Sequence, residues 1–356
     1  MSTKPVGFGL LGAGLVAPFH AKSLRNSSKA NLIAVADMNQ ERAGKLAREY
    51  ECQCLGSLDE LLACPGVEAV CVLTPNHAHH DVVIAAAQAG KHVLVEKPPA
   101  MTLRETDAMI EACKKANVRF GVVLQCRVRK AIQAMKTAVS SGRFGKLLHA
   151  DAYMKWYRAR EYYLSDAWRS SRASGAGVTV QHAFHYIDLL QYIAGPAKRV
   201  HARMNNLSHP DVDLEDTLIA TIDFKAGAQG IVEASTGLWP GTDIRIEING
   251  ENGTAIMIGE RIDTWKFKDE KPEDEEIRRY GSESIQTAAT GPADFAFFDH
   301  QVVIEDLADA IRENREPVIP AISTRPTLEM VLAMYKSAAS DCAVSLPLES
   351  EEGILC

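Results

Sequence analysis

Three observations in the chain predict an α/β protein: an N-terminal, doubly wound parallel sheet followed by a second α+β domain on an open, mostly antiparallel sheet. First, short apolar runs at 6–11, 31–36, 69–73, 92–95 and 119–123 alternate with helical patterns, as parallel strands joined by right-handed crossovers do. Second, a glycine turn, Gly12-Ala13-Gly14, leads from the first run straight into a helical segment. Third, from 199 to 267 strand follows strand with Gly and Asn between them and few helices, which marks an antiparallel sheet. A chain of 356 residues holds two domains, and the change of pattern places them at 1–124 and 125–356.

The elements follow from local signals. Ser57-Leu58-Asp59-Glu60 and Thr102-Leu103-Arg104-Glu105 have capping-box spacing and should open helices. Gly90 sits just past the run 82–89, where a left-handed C-cap is expected. In the second domain a helix over 129–141 ends at Gly142, residues 146–156 alternate as a strand, and 177–193 reads as a buried helix. Strands are expected at 218–224, 228–235, 243–248 and 254–258. The charge run 266–279 has little apolar content and reads as a solvated loop. Helices near 300–313 and 327–339 close the chain.

Bulk properties narrow the function. Hydrophobic residues make up 46% and charged residues 24%, an ordinary globular composition. A net charge of −7 argues against general binding to nucleic acid or anionic membrane. With no N-terminal signal and no apolar run of bilayer length, the expected compartment is the cytoplasm. The eight cysteines are scattered, without paired metal-ligand spacing, and read as reduced thiols.

The first glycine turn carries a cofactor signature. Gly12-Ala13-Gly14-Leu15-Val16-Ala17 follows a strand and opens a helix, which is the Rossmann fingerprint G-x-G-x-x-G/A. Gly12 permits the tight turn, Gly14 lets the backbone and the helix N-terminus approach a pyrophosphate, and Leu15 and Val16 line the same turn. Asp37 ends the second strand about 20 residues further on, where a carboxylate accepts from ribose hydroxyls and repels a 2′-phosphate. No basic residue follows it in Met38-Asn39-Gln40, so NAD is expected over NADP.

A second signature lies at Glu96-Lys97-Pro98. It follows the apolar run 92–95, so a lysine stands at the carboxyl end of a buried strand, the end at which α/β sheets bind ligands. A desolvated lysine beside a cationic nicotinamide has a lowered pKa and can exchange a proton with a substrate hydroxyl.

With these motifs in one frame, the chain resembles the Gfo/Idh/MocA family of oxidoreductases over essentially its whole length. Thr74-Pro75-Asn76 with His79 resembles that family's turn near the nicotinamide ribose. Trp168-Arg169 resembles its W-R pair, and Gly175-Ala176-Gly177 running to His185-Tyr186-Ile187-Asp188 resembles its glycine loop and H-x-x-D motif. The resemblance implies a Rossmann domain, an open sheet that often forms oligomer contacts, and hydride transfer between a nicotinamide and a carbinol or keto carbon of a sugar or cyclitol. It implies Lys97 and His185 as the catalytic pair, and Gly12, Gly14, Leu15, Val16, Asp37, Thr74, Asn76, His79, Glu96, Lys97 and Arg169 at the cofactor.

Many relatives carry an aspartate four residues before that histidine; Gln181 stands there in this chain and cannot take a proton, so Lys97 and His185 are left to handle it. His182, His185 and Asp188 share a helix face. That spacing matches no zinc signature and hydride transfer needs no metal, so none is expected; Asp188 is expected to orient a histidine or cap backbone. Trp156-Tyr157-Arg158…Glu161-Tyr162-Tyr163 forms an aromatic and basic cluster, either a substrate wall or packing. Arg158 or Arg169 in it can hold an anionic group, and a similar run occurs in sugar-nucleotide-acid oxidases. The expected substrate residues are Lys97, Gln125, Tyr157, Arg158, Tyr163, Gln181, His182 and His185, with Arg127 and Tyr280 weaker. A glycosidase using transient oxidation, and a non-catalytic NAD-binding regulator, are the alternatives. A homodimer or homotetramer is expected, because a large apolar sheet face does not stay solvated.

Overall fold

The computed structural model describes residues 4–175, 177–282, 297–351 and 354. The chain forms two compact units, Met1–Gln125 with Ala296–Arg325, and Cys126–Phe295 with Pro326–Cys356.

In the first unit six parallel strands, β1 (Val6–Leu11), β2 (Ala30–Ala36), β3 (Gln53–Leu55), β4 (Ala69–Val72), β5 (His92–Val95) and β6 (Phe120–Val122), lie in the order β3-β2-β1-β4-β5-β6. The helices between them are α1 (Ala17–Asn26), α2 (Gln40–Tyr50), α3 (Leu58–Ala63), α4 (His79–Gln88) and α5 (Leu103–Lys115). Every residue of β1 and β4 is buried, as expected for parallel strands covered on both faces. The edge strand β3 escapes sequence reasoning because three residues carry no period. Thr102 and Glu105 close a full capping box. Ser57 closes only half of one, because the Glu60 carboxylate takes the Gly56 N–H at 2.7 Å instead. Gly90 caps α4 at φ +68°.

The single boundary at 124/125 is corrected, because the chain returns to the first unit near its end. There the helix α10 (Phe298–Glu313) packs on α1. Ser23 Oγ donates to the Phe297 carbonyl at 3.0 Å, Lys29 pairs with Asp309 at 2.7 Å, and Arg312 grips Glu68 at 2.8 and 2.9 Å. An amphipathic helix announces that it has a core to cover, but not which one.

The second unit contains α6 (Lys130–Ser140), β7 (Leu147–Lys155), α7 (Arg160–Leu164), α8 (Phe184–Ala194), β8 (Ala197–Asn205), β9 (Thr217–Phe224), β10 (Gln229–Ser235), β11 (Arg245–Gly250), β12 (Gly253–Ile258), β13 (Arg261–Phe267), α9 (Asp274–Ile277), most of α11 (Arg325–Ser340) and β14 (Val344–Ser345). Among the described residues its eight strands run β13-β12-β11-β7-β10-β9-β8-β14, and of these pairs only β7 with β10 is parallel. One face is apolar and covered, with α8 packed on β7. On β9 the residues Leu218, Ala220, Ile222 and Phe224 are buried, while Ile219 on the opposite face is 54% exposed. Among the described residues every cysteine is a free thiol, and no helix is long and apolar enough to cross a membrane.

The predicted helix over 177–193 opens instead as a π-helical segment, Val178–Ala183, before the regular α8. The solvated loop over 266–279 is also corrected. Its first residues finish β13, and Asp274 is fully buried. The Asp274 carboxylate accepts from Arg143, from Trp265 Nε1 at 2.7 Å and from the Lys271 N–H at 2.8 Å. Arg143 in turn packs over Phe267 at 4.1 Å. The charge pattern looked solvated because the single acid that turns inward is invisible among its neighbours.

The hydrogen bond from Arg143 holds Asp274 well below the usual carboxylate range. A depressed carboxyl stabilises the fold above its unfolded value, about 4, and loses that contribution as pH falls below it. Asp274→Asn is expected to destabilise the second unit at pH 7 by about 3–5 kcal/mol, the effect of breaking a buried pair. Urea titrations should show the gap to wild type narrowing from about pH 4 downward; a gap independent of pH would refute the assignment.

Candidate active site

Each unit brings part of the predicted site together. In the first, the carboxyl end of β1 turns at Gly12, with φ +108°, and a Cβ there would lie 2.6 Å from the Leu73 carbonyl oxygen. Only glycine fits between the loop leaving β1 and the backbone leaving β4. Above Gly14 the space is open, with nothing within 4 Å of an added Cβ. Helix α1 starts with Val16 as N-cap and without a side-chain cap or an acid in its first turn, and Leu15 is exposed beside it. No side chain competes for this helix end: Ala17 and Phe19 donate to the Gly14 and Val16 carbonyls, Pro18 has no N–H, and the positive end of the helix dipole faces the turn. Asp37 has a role beyond the expected one. One carboxylate oxygen accepts the Ala13 N–H at 2.6 Å and the other the Asn39 N–H at 2.7 Å, so Asp37 ties the glycine turn to the end of β2 while its remaining lone pairs stay open. Open backbone, uncapped helix and an acid at the neighbouring strand end fit a dinucleotide.

At the ends of β4 and β5 the structure departs from one expectation. His79, placed at the cofactor by sequence, is fully buried, with Nδ1 2.9 Å from the Pro98 carbonyl and Nε2 3.0 Å from the Thr74 carbonyl. Both nitrogens face backbone carbonyls, so His79 lies between the two turns, a neutral ring donating to one of them; burial lowers its pKa. Asn76 is buried nearby in the turn opening α4. Glu96 is buried, while Lys97 after it is half-buried. Gln125, buried as well, ends this unit.

The second unit gathers the aromatic and basic cluster around Tyr162. Its hydroxyl accepts from Arg169 Nη1 at 2.9 Å and from Gln181 Nε2 at 3.1 Å. The Arg169 guanidinium lies 4.9 Å from the Tyr162 ring centre and 4.6 Å from that of Trp168. His182 tilts onto Tyr162 at 5.6 Å and meets Trp156 edge-on at 6.3 Å, and Arg158 sits 4.9 Å over Trp156. Arg158, Arg169, Gln181 and His182 are all buried. Burial, partly offset by Arg169 and Arg158, raises the Tyr162 pKa, so it is a neutral phenol.

Tyr163, chosen from sequence as a substrate residue, is corrected. It is fully buried in a small core with Val212 and Leu214, and its hydroxyl bonds Thr236 Oγ1 at 2.6 Å. Adjacent tyrosines on a short helix face different ways, and sequence cannot say which faces in. Tyr157 is half-buried beside them, its carbonyl accepting from Arg158 Nη1 at 2.8 Å.

His185 is half-buried on the first turn of α8. Asp188 does not orient it. The carboxylate receives Arg127 Nε and Nη2 at 2.7 and 2.6 Å and Thr327 Oγ1 at 2.7 Å. Arg127, expected as a weak pocket candidate, is thereby a structural partner. Sequence reasoning also missed Glu215. Its carboxylate accepts from Tyr335 Oη at 2.6 Å and the Thr179 N–H at 3.0 Å, and its carbonyl accepts the Val178 N–H at 2.8 Å. A Cβ on Gly177, at φ +118°, would meet that carboxylate at 2.4 Å. Gly177 and Glu215 thus seat the segment that carries Gln181, His182 and His185; Ala176 lies outside the described residues.

The chain's similarities agree with this geometry. The description "Oxidoreductase family, NAD-binding Rossmann fold" of the GFO_IDH_MocA family matches residues 6–124, and "GFO/IDH/MocA C-terminal domain" matches residues 132–256. The chain is 28% identical to scyllo-inositol 2-dehydrogenase (NAD(+)) of Bacillus subtilis (strain 168), over 96% of each protein. It is 26% identical to the 2,7-anhydro-N-acetylneuraminate hydratase of Escherichia coli (strain K12), over 77% of this chain and 76% of the other. The crystal structure of the WlbA dehydrogenase from Bordetella pertussis, in complex with NADH and UDP-GlcNAcA, superposes with a TM-score of 0.86 at 29% identity, covering 97% of this chain and all of the other. The fingerprint turn, the acid at the end of β2, the open sheet and these likenesses converge: the chain belongs to the GFO/IDH/MocA family of NAD-dependent oxidoreductases.

Proposed function

We propose that the protein transfers hydride between NAD and a carbinol or keto carbon of a sugar bearing an acidic group, either a sugar acid or its nucleotide derivative, ahead of neutral sugars and cyclitols. One observation carries this choice. Two donors, Arg169 and Gln181, occupy the lone pairs of the Tyr162 hydroxyl, so the hydrogen-bonding capacity left to it is its own proton. A phenol donor backed by a guanidinium suits a substrate oxygen with negative charge. The WlbA dehydrogenase, whose structure holds UDP-GlcNAcA, supports the same class.

NAD, when bound, supplies the hydride acceptor. The chain's own residues do the rest. Gly12, Gly14, Leu15 and Val16 seat the pyrophosphate on α1, and Asp37 takes the ribose hydroxyls. Thr74, Asn76 and Glu96 hold the nicotinamide end. Lys97 removes the hydroxyl proton and His185 shares it; Gln181, with no exchangeable acid, takes no part in that transfer. The half-exposed face of the second sheet, with Ile219 at 54% and Ile231 at 37%, supports assembly into a homodimer or homotetramer. The hydratase relative points to one second reading, a glycosidase-like cycle in which the sugar is oxidised transiently, eliminates, adds water and is reduced again by the same cofactor, with no net NADH.

A screen of sugar acids, nucleotide sugars, neutral sugars and inositols, followed by NADH absorbance, tests the class; turnover confined to neutral sugars or inositols would refute it. Product release without net NADH would favour the second reading. Lys97→Ala is expected to lower turnover by about 100-fold or more, the usual share of a general base, with NADH affinity retained. Wild-type turnover in that variant would remove Lys97 from the chemistry. Asp37→Ala should relax the preference for NAD over NADP, read as the ratio of kcat/KM values, and an unchanged ratio would move Asp37 away from the ribose. Tyr162→Phe should raise KM for the acidic substrate about tenfold or more, the worth of a charge-assisted hydrogen bond, with kcat little changed; an unchanged KM would refute the donor role.

A further inference from the structure

Behind the Glu96-Lys97-Pro98 turn lies a buried cluster in which two members, His20 and His300, have no task in the proposed chemistry. His20 on α1, Glu96 at the end of β5 and His300 on α10 all belong to the first unit and are all buried. One nitrogen or oxygen from each lies within 4.8 Å of the others. His20 Nε2 is 2.9 Å from Glu96 Oε1, and the second carboxylate oxygen accepts the Lys97 N–H at 3.2 Å. His300 meets the His20 ring edge-on at 5.3 Å, and Phe19 stacks on His300 at 6.1 Å.

The chemistry of the pair is defined by its charges. Burial alone would raise the Glu96 carboxyl; the hydrogen bond from His20 and the fields of His20, His300 and Lys97 outweigh burial and hold it at about 2. An ionised carboxylate only accepts, so the shared proton rides on His20 Nε2. The other titratable groups in the field of Glu96 are His79 on α4 and Cys71 on β4. His79 grips the far side of the same turn through the Pro98 carbonyl. Lys97 therefore stands between two neighbours, each anchored by a histidine from a different helix.

Helix α1 carries both ends of this arrangement. Its first turn follows the glycine loop, and His20 lies one turn further in, so the element that faces the pyrophosphate also grips Glu96. We propose that His20, backed by His300, is a positioning residue of the cofactor site: it locks the Glu96 carboxylate to the dinucleotide-binding helix and thereby sets the turn that presents Lys97. This rests on the role of Lys97 proposed above. The same three donors resemble a metal nest, but a cation would displace the proton from His20 Nε2 and break its hydrogen bond to Glu96.

His20→Leu, which removes the donor, and His20→Gln, which keeps one, test the proposal on the full chain. NADH binding is read by fluorescence without substrate, alongside the pH profile of kcat/KM. His20→Leu is expected to weaken NADH binding about tenfold or more, as loss of a hydrogen bond to a charged group does. It should also add an acidic limb to the profile, because Glu96 then titrates in the assay range; His20→Gln should restore most of both. If His20→Leu does not fold, His20→Asn, whose shorter amide cannot reach Oε1, replaces it with the same expectation. Wild-type NADH affinity together with an unchanged profile would overturn the proposal. So would a rise in the melting temperature of the wild type with Zn2+ that His300→Leu abolishes, which would make the cluster a metal site. The Lys97 assignment fails separately: it falls if Lys97→Ala turns over normally, whatever the NADH affinity of the His20 variants.

Discussion

The Leu73 carbonyl and the missing side chain of Gly12 determine where β1 and β4 part. A Cβ at Gly12 would stand 2.6 Å from that oxygen, so the loop leaving β1 must run in contact with the backbone leaving β4. This contact lies at the point where the strand order reverses, and it opens the crevice beyond the strand ends in which such sheets bind dinucleotides. The rest of the first unit's site is built on it. Asp37 holds the loop from the β2 side through the Ala13 N–H, and His79 joins the turns after β4 and β5 through the Thr74 and Pro98 carbonyls. Glu96 is tied back to α1 through His20. A side chain at Gly12 would push on the loop that Asp37 holds and on the turn after β4 that His79 braces.

The second unit solves a similar problem by different means. Its site segment opens as a π-helical stretch, a geometry that recurs at functional sites because it is rarely kept without a use. Glu215 supplies the restraint: its carboxylate and carbonyl take the Thr179 and Val178 N–H groups, and Tyr335 bonds the carboxylate from α11. Burial raises the Glu215 pKa, while those hydrogen bonds oppose the rise. Asp188 plays the matching role lower on α8, where Arg127 and Thr327 neutralise and saturate it. With the backbone held above and below, the Gln181 side chain bonds the Tyr162 hydroxyl and the His182 ring packs on Tyr162 and Trp156.

Much of this was legible beforehand. The strands of the first sheet other than β3, the capping box at Thr102, the left-handed cap at Gly90 and the fingerprint at Gly12 are all local: each needs only neighbours within a few residues. The open sheet was legible from alternation, since β9 and β10 repeat every second residue toward one face. The failures share a pattern. Tyr163 was preferred over Tyr162, His79 was sent to the cofactor, Asp188 was given to a histidine or to backbone capping, and Asp274 was left in solvent. In every case the residue type was chemically suitable and its direction or partner was wrong.

What the sequence determined by itself is the architecture and the class of chemistry, because strand periods and glycine turns are short-range patterns, and the E-K-P and H-x-x-D motifs carry the family resemblance. What only the tertiary structure decided is how the polar groups are paired. Arg127 and Asp188 are 61 residues apart, His20 and Glu96 are 76, and Thr327 and Asp188 are 139. A buried polar atom must find a partner, but which partner depends on the last few tenths of an ångström of packing between elements distant in the chain. The return of α10 to the first unit, bringing His300 beside His20, is the largest such decision, and no window of the sequence contains it.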